Sequence, residues 1–136
     1  MLLNQTTDYG MQITLFLAKQ QNGHVIGADT ISSAEKIPKK SVFKIMRSLT
    51  KAGIVESVRG RAGGFVLGRN SENITLYDII VAIEGTVVLN HCLVSSNKCN
   101  KNATECCIVH ESLAKVREDL IQGFQDINIK MLLEAA

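Results

Sequence analysis

Residues 37–53, IPKKSVFKIMRSLTKAG, restrict the possible folds of this chain more than any other stretch. Val42, Ile45, Met46, Leu49 and Ala52 recur at helical spacing and predict the buried stripe of a helix over 39–51. Lys40, Lys44, Arg47 and Lys51 fall on the opposite side of that helix. Ile37 precedes a proline, which pushes it out of helical geometry and ends whatever helix comes before. Pro38 can open the next helix, because its missing N–H is not needed in a first turn, and Gly53 is the expected stop. Upstream, residues 28–36 suit a shorter helix with Ile31 and Ala34 inward. Two helices joined by a tight turn, the second basic on its open face, make a helix-turn-helix.

The next stretch fits a wing. Residues 54–59 and 65–69 each suit a short strand, and Gly60, Gly63 and Gly64 between them permit a turn that side chains would obstruct. Arg59 and Arg61 then sit at its tip. Before the helix pair, residues 5–20 predict a helix with Tyr9, Ile13, Phe16, Leu17 and Gln20 on one face, and Val25–Ile26 suit a short strand or a turn. Thr75 and Asp78 form a capping box for a further helix, with Leu76, Ile79, Ile80 and Ile83 on its inner face and Gly85 at its end. From Ile108 the pattern is helical for about 20 residues, a rod of about 30 Å. There Val109, Leu113, Val116, Leu120, Phe124 and Ile127 approach a heptad seam, and a short final helix can follow at 129–134. Such a stripe could pack on its own domain, but a dimer gives each copy a mate to cover it.

The fold class expected is mainly α with a small β-hairpin: a winged helix-turn-helix domain over 1–85, a cysteine-bearing sensor loop over 86–107, and a dimerisation helix with C-terminal tail over 108–136. Charge supports this division. Residues 36–69 hold nine of the 15 basic residues and one acid, Glu56, whereas the rest of the chain is net acidic. A basic segment on an acidic body points to double-stranded DNA as the partner. With six aromatic residues and no Trp, the core must be mostly aliphatic. The N-terminus lacks the basic start and long apolar run of a secretory signal, and no apolar run is long enough to span a membrane. A cytoplasmic protein without a membrane partner is expected. No C-x-x-C pair or glycine-rich nucleotide fingerprint is present, so a thiol redox enzyme is a remote alternative and an enzyme is not expected.

All four cysteines lie within residues 92–110, CLVSSNKCNKNATECCIVH. The spacing reads C-x6-C-x7-C-x2-H through Cys107, or C-x6-C-x6-C through Cys106. The intervening Ser, Asn, Lys and Thr favour loops. In a reducing compartment, clustered thiols beside an imidazole suggest soft-metal or redox chemistry more than structural disulfides. His24 and His91 read as ordinary surface or loop residues, and Met46 and Met131 as core filler.

The wing motif VRG-x-x-GG-x-x-LG over 58–68, the helix end IEG at 83–85 and the loop cysteines resemble the winged-helix iron–sulfur transcriptional repressors of the NsrR, IscR, RirA and CymR type. The resemblance covers nearly the whole chain. It implies a homodimer crossed through the long helix, bound to a pseudo-palindromic DNA operator. It further implies an iron–sulfur cluster, [2Fe–2S] or [4Fe–4S], sensing nitric oxide, redox state or iron status. The implied ligands are Cys92, Cys99 and Cys107, with Cys106 as an alternative third thiol. Cys107-x-x-His110 resembles the IscR branch, where the histidine is the fourth ligand. Asp8 stands where NsrR-like members supply an aspartate, so both remain candidates. Phe43-Lys44 stands where the IscR branch has a base-reading glutamate, and a different sequence preference follows. A zinc or thiol/disulfide switch on the same DNA-binding frame is the alternative. The DNA-contacting set is expected to be Lys39, Lys40, Ser41, Lys44 and Arg47 on the helix, and Arg59 and Arg61 on the wing.

Overall fold

A computed structural model describes residues 3–20, 23–95, 100–101 and 107–136. The elements in chain order are α1 (Gln5–Lys19), α2 (Ala28–Glu35), α3 (Lys39–Lys51), β1 (Val55–Val58), β2 (Gly64–Leu67), α4 (Leu76–Glu84), α5 (Ile108–Gln125) and α6 (Ile129–Ala135), with single 3₁₀ turns at Ser71–Asn73 and His91–Leu93.

The stripe on α3 is buried at four of its five expected positions, and Ala52, the C-cap of the helix, is half-buried. Val42, Ile45, Met46 and Leu49 are all buried. They meet Ile13 and Leu17 of α1, Ile31 of α2, Ile79 of α4, and Ile54, Ile74 and Ile129 in one aliphatic cluster. Burying one such side chain contributes about 1.5–3 kcal/mol, so the cluster carries most of the stability of the winged helix-turn-helix part, the head of the molecule.

The turn between α2 and α3 is built differently from the expectation at two points. Lys36 closes α2 in the left-handed region, at φ 54° and ψ 44°, although it is not a glycine. Ser32 makes this tolerable: its hydroxyl donates to the Ile37 carbonyl at 2.6 Å, and its own carbonyl accepts from the Ile37 N–H at 3.1 Å. Ile37 is thereby buried under the turn. Pro38 is the N-cap of α3, not its first helical residue. Ala34, expected inward, is exposed, since α2 is short enough that Ile31 alone among its residues is fully buried.

The wing is a two-stranded antiparallel hairpin with Val55 opposite Leu67 and Val58 opposite Gly64. Both strands are shorter than expected. Residue 26 adds a single bridge: Ile26 and Phe65 exchange N–H···O bonds of 2.9 and 2.8 Å. That bridge brings the Ile26 carbonyl against Gly64, where any Cβ would collide with it. Gly53, at φ 76°, takes the left-handed step that ends α3 and starts β1.

The capping box at α4 forms on both sides: the Thr75 hydroxyl accepts from the Asp78 N–H at 3.1 Å, and the Asp78 carboxylate accepts from the Thr75 N–H at 3.0 Å. At its other end, Glu84 accepts from the Asn4 N–H at 2.9 Å and the Thr7 hydroxyl at 2.6 Å. The end of α4 is thus tied to the start of α1.

None of the 18 residues of α5 is buried. Leu113, Leu120 and Phe124 are half-buried, while Val109 and Val116 of the same stripe are exposed. The C-terminal end of α5 is fixed by backbone pairing, with the Leu76 N–H donating to the Ile127 carbonyl and the Ile129 N–H to the Ile74 carbonyl, both at 2.9 Å. α6 then packs on α1, with Ile129 buried and Leu132 and Leu133 against the core. Met46 is core, but Met131 is exposed on the outer side of α6.

Candidate functional site

The open face of α3 is cationic from end to end. Lys39, Lys40, Lys44, Arg47 and Lys51 are exposed, and Ser41 is half-buried in the first turn. Arg59 and Arg61 are exposed at the tip of the wing, where the Gly63 N–H donates to the Gly60 carbonyl at 3.0 Å and closes the loop. Between the start of α3 and the wing runs a groove of about 540 Å³, with Lys39 and Phe43 on one wall and Arg59 and Gly60 on the other. All seven residues expected on the DNA side therefore lie on the helix or on the wing that flanks it.

Three features of this face escaped the sequence. Asp29, in the first turn of α2, forms an ion pair with Lys39, so one cation is partly neutralised. Phe43 is exposed between the lysines, and the Lys39 ammonium lies 5.9 Å from its ring centroid. Arg69, counted in the basic segment, turns inward instead. It donates to the Ala52 carbonyl at 2.8 Å and the Asn73 carbonyl at 3.4 Å and pairs with Asp78 at 3.5 Å. Arg69 therefore binds the wing's return strand to the end of α3 and the start of α4. The spacing of an arginine carries no signal that separates such a clamp from a surface cation.

The candidate thiol ligands follow α4 in the chain. After Gly85 the chain passes Val87, which is buried and whose carbonyl accepts from Arg117 Nε of α5 at 2.7 Å. It then reaches Cys92 in the turn His91–Leu93. Cys107 is the N-cap of α5, and His110 stands in the first turn of that helix. His110 Nδ1 lies 3.3 Å from Cys92 Sγ, across 18 positions of sequence. Cys92 and Cys107 are both free and half-buried. Cys99 and Cys106 fall outside the described residues. Among the described residues, no group of three or more His, Cys, Asp or Glu side chains converges on one point. Asp8 is exposed in the first turn of α1 and accepts from Gln12 Nε2 at 2.8 Å. His24 and His91 are exposed, as expected of surface residues. No helix among the described residues is long and apolar enough to cross a membrane.

Residues 3–135 match the Rrf2 family model, described as an iron-dependent transcriptional regulator. A protein of Aquifex aeolicus (strain VF5), described by inference as an HTH-type transcriptional regulator, is 30% identical over 133 residues, covering 98% of this chain and 92% of that relative. Among solved structures, IscR of T. potens superposes with a TM-score of 0.76 at 23% identity, covering 100% of this chain and 89% of the other. CymR, the global cysteine regulator of B. subtilis, does so with a TM-score of 0.76 at 22% identity, covering 100% and 98%. These two likenesses show a shared winged-helix fold. A helix-turn-helix with a cationic open face, a wing beside it and a family match over almost every residue lead to one conclusion: this chain is a DNA-binding transcriptional regulator of the Rrf2 family, and not an enzyme.

Proposed function

We propose that this regulator acts as a homodimer whose affinity for a pseudo-palindromic operator is set by an iron–sulfur cluster held by Cys92, Cys99, Cys107 and His110. The observation that carries the reading is the contact between Cys92 and His110, which places a thiol and an imidazole side by side at the root of the loop. Both are soft or borderline donors that suit iron. Of the two fourth-ligand candidates, His110 is favoured by this contact, whereas Asp8 has Gln12 as its hydrogen-bond partner. Cys106 adjoins Cys107 and remains the alternative third thiol. When bound, the cluster would supply a redox-active centre that holds the loop together and is lost when a ligand is displaced.

The chain's own residues can transmit that change. Cys92 belongs to the segment that leaves α4, and His110 to the first turn of α5. Their contact fixes one end of α5, while the backbone pairing at Ile127 and Ile129 fixes the other to the head. Releasing the first end lets α5 pivot about the second. In a dimer crossed through α5, that pivot alters the spacing of the two cationic faces. Operator half-sites have a separation set by the DNA helix, so the spacing governs affinity. A coupling of about 1–3 kcal/mol would change affinity about 5–150-fold. The dimer itself is supported by the exposed apolar residues of α5, with Ile108 79%, Val109 63% and Val116 54% accessible in the single chain. In this reading the operator overlaps the promoter it controls, and the bound protein acts as a repressor. Its seat is the cytoplasm, where DNA and reduced thiols coincide.

A second reading keeps the DNA binding and replaces the cluster with zinc or a thiol switch. It draws on the two free half-buried thiols and on the imidazole that lies beside Cys92. Anaerobic purification followed by iron, sulfide, zinc and thiol analysis separates the two. The first reading expects a coloured protein in which Cys92→Ser and His110→Ala lower iron content and uncouple operator affinity from nitric oxide or oxygen. A protein that stays colourless after reconstitution with iron and sulfide, yet binds zinc or changes affinity on thiol oxidation, would establish the second.

A further inference from the structure

The stretch that leads from α4 to Cys92 is joined to the rest of the molecule by few bonds. Residues 86–89 belong to no helix or strand, and among the described residues their backbone makes a single hydrogen bond, from Arg117 Nε to the Val87 carbonyl at 2.7 Å. Val87 is buried, and a carbonyl left there without a donor is costly. A guanidinium N–H on that carbonyl makes a short, charge-assisted bond. Arg117 also stands in a fixed relation to His110. It follows His110 on α5 by nearly two helical turns, so the two side chains leave the helix on one side. That side is half-buried at His110, Leu113 and Arg117, while Val109 and Val116 are exposed.

His110 meets Cys92 and Arg117 meets Val87, so residues 87–92 run antiparallel to the N-terminal half of α5 with a contact at each end. The helical rise puts those two contacts about 10 Å apart along the axis. A thiol and an imidazole 3.3 Å apart do not set that distance by themselves. The backbone that carries the thiol must reach α5 at the right height, and the bond to Val87 fixes that height. We propose that Arg117 is a positioning residue of the thiol site: by holding the Val87 carbonyl it sets where Cys92 stands against His110, and with that how tightly the site grips a soft metal. Arg117 acts through the backbone of residues 87–92 and not by touching the metal. The role belongs to the Nε donor rather than to the positive charge. The inference rests on the reading of Cys92 and His110 as ligands, and it applies to an iron–sulfur cluster and to zinc alike, since both need these two side chains together.

The full-length protein, metal-free and reduced under anaerobic conditions, is titrated with Co(II), whose thiolate charge-transfer and ligand-field bands report affinity and ligand geometry. Arg117→Gln and Arg117→Met are titrated beside it. Glutamine places an amide N–H where arginine has Nε, without the charge; methionine matches the length without a donor. Arg117→Met should bind cobalt about 10- to 100-fold more weakly, the usual cost of losing a partner that orients metal ligands, and with an altered ligand-field band. Arg117→Gln should recover most of that loss and the parent's band. A merely structural arginine would lower the melting temperature of metal-free Arg117→Met and leave its cobalt affinity and spectrum as in the parent, and that result overturns the proposal. Arg117→Gln as weak as Arg117→Met overturns the assignment to the hydrogen bond. The parent supplies a test that needs no variant: in nitrogen-labelled protein the Arg117 Nε–H resonance should shift when zinc is added, and an unmoved resonance would separate Arg117 from the site. If the parent binds cobalt and Arg117→Met binds it equally well, this inference alone fails. If the parent takes up neither cobalt, zinc nor a cluster, the ligand reading fails and this inference falls with it.

Discussion

The winged head and α5 are built from much the same aliphatic side chains, yet they meet water in opposite ways. In the head, the stripe of α3 is closed over by α1, α2 and α4, and its members are 1% exposed or less. On α5 a stripe of equal regularity has no fully buried member, and Ile108 is 79% exposed. Periodicity says which side chains share a face and nothing about what covers it. The head finds its cover within one chain; the stripe of α5 is left partly open, and the proposed dimer is assigned to it.

The sharpest way to break this contrast is to make the same kind of cavity in both regions. Ile45→Ala removes a side chain from the centre of the head and should lower unfolding free energy by about 2–5 kcal/mol. Val116→Ala, at protein concentrations that hold the chain monomeric, should cost under about 1 kcal/mol. Urea denaturation of both variants measures the difference. Equal losses would mean that the head already buries α5.

The next effect belongs to assembly. Val109→Glu combined with Val116→Glu puts two carboxylates on the exposed stripe. A charge pressed against an apolar mate is costly, so the dimer dissociation constant should rise by about 100-fold or more. Circular dichroism of the head should be unchanged. Sedimentation velocity reads the first outcome, and a variant that sediments as the parent does would show that the copies meet elsewhere.

Much of the head was legible because its local signals agree with its global fold. The bounds of α3 follow from Pro38, the stripe and Gly53, and those of α4 from the Thr75–Asp78 box and Gly85. What could not be read depends on long-range geometry. Glu84 and Thr7 meet across 77 positions, and Cys92 meets His110 across 18, and no pattern in the sequence pairs them. Lys36 takes a left-handed conformation that lysine does not advertise; it is held there by Ser32. Of the proposed ligands, Cys92, Cys107, His110 and Asp8 lie among the described residues, and of these Cys92 and His110 are in contact.

Within the head, the basic residues divide into those that stabilise and those proposed to hold DNA. Arg69→Ala loses two hydrogen bonds to carbonyls and an ion pair at a half-buried position, and should cost about 1–2 kcal/mol in thermal or urea unfolding. It should leave the salt dependence of DNA binding unchanged. Lys44→Ala and Arg59→Ala should do the reverse, keeping stability within about 0.5 kcal/mol and each lowering the slope of log affinity against log salt by about one. A stable Arg69→Ala protein with a reduced slope would move that arginine back to the DNA face.

The smallest effect tests how α5 is joined to the head at its C-terminal end. Two kinds of contact are present there: the buried Ile129 with its backbone pairing, and an ion pair between Lys130 and Glu72 at 3.7 Å with both side chains more than half exposed. An exposed pair at that distance gains little in water and is screened by salt. Glu72→Gln should therefore change stability by no more than about 0.5 kcal/mol, and raising the salt should erase even that. A larger, salt-sensitive loss would make the anchor electrostatic and adjustable. A negligible one would leave α5 with a fixed apolar root at Ile129 and a releasable contact at His110, which is the asymmetry that a pivot requires.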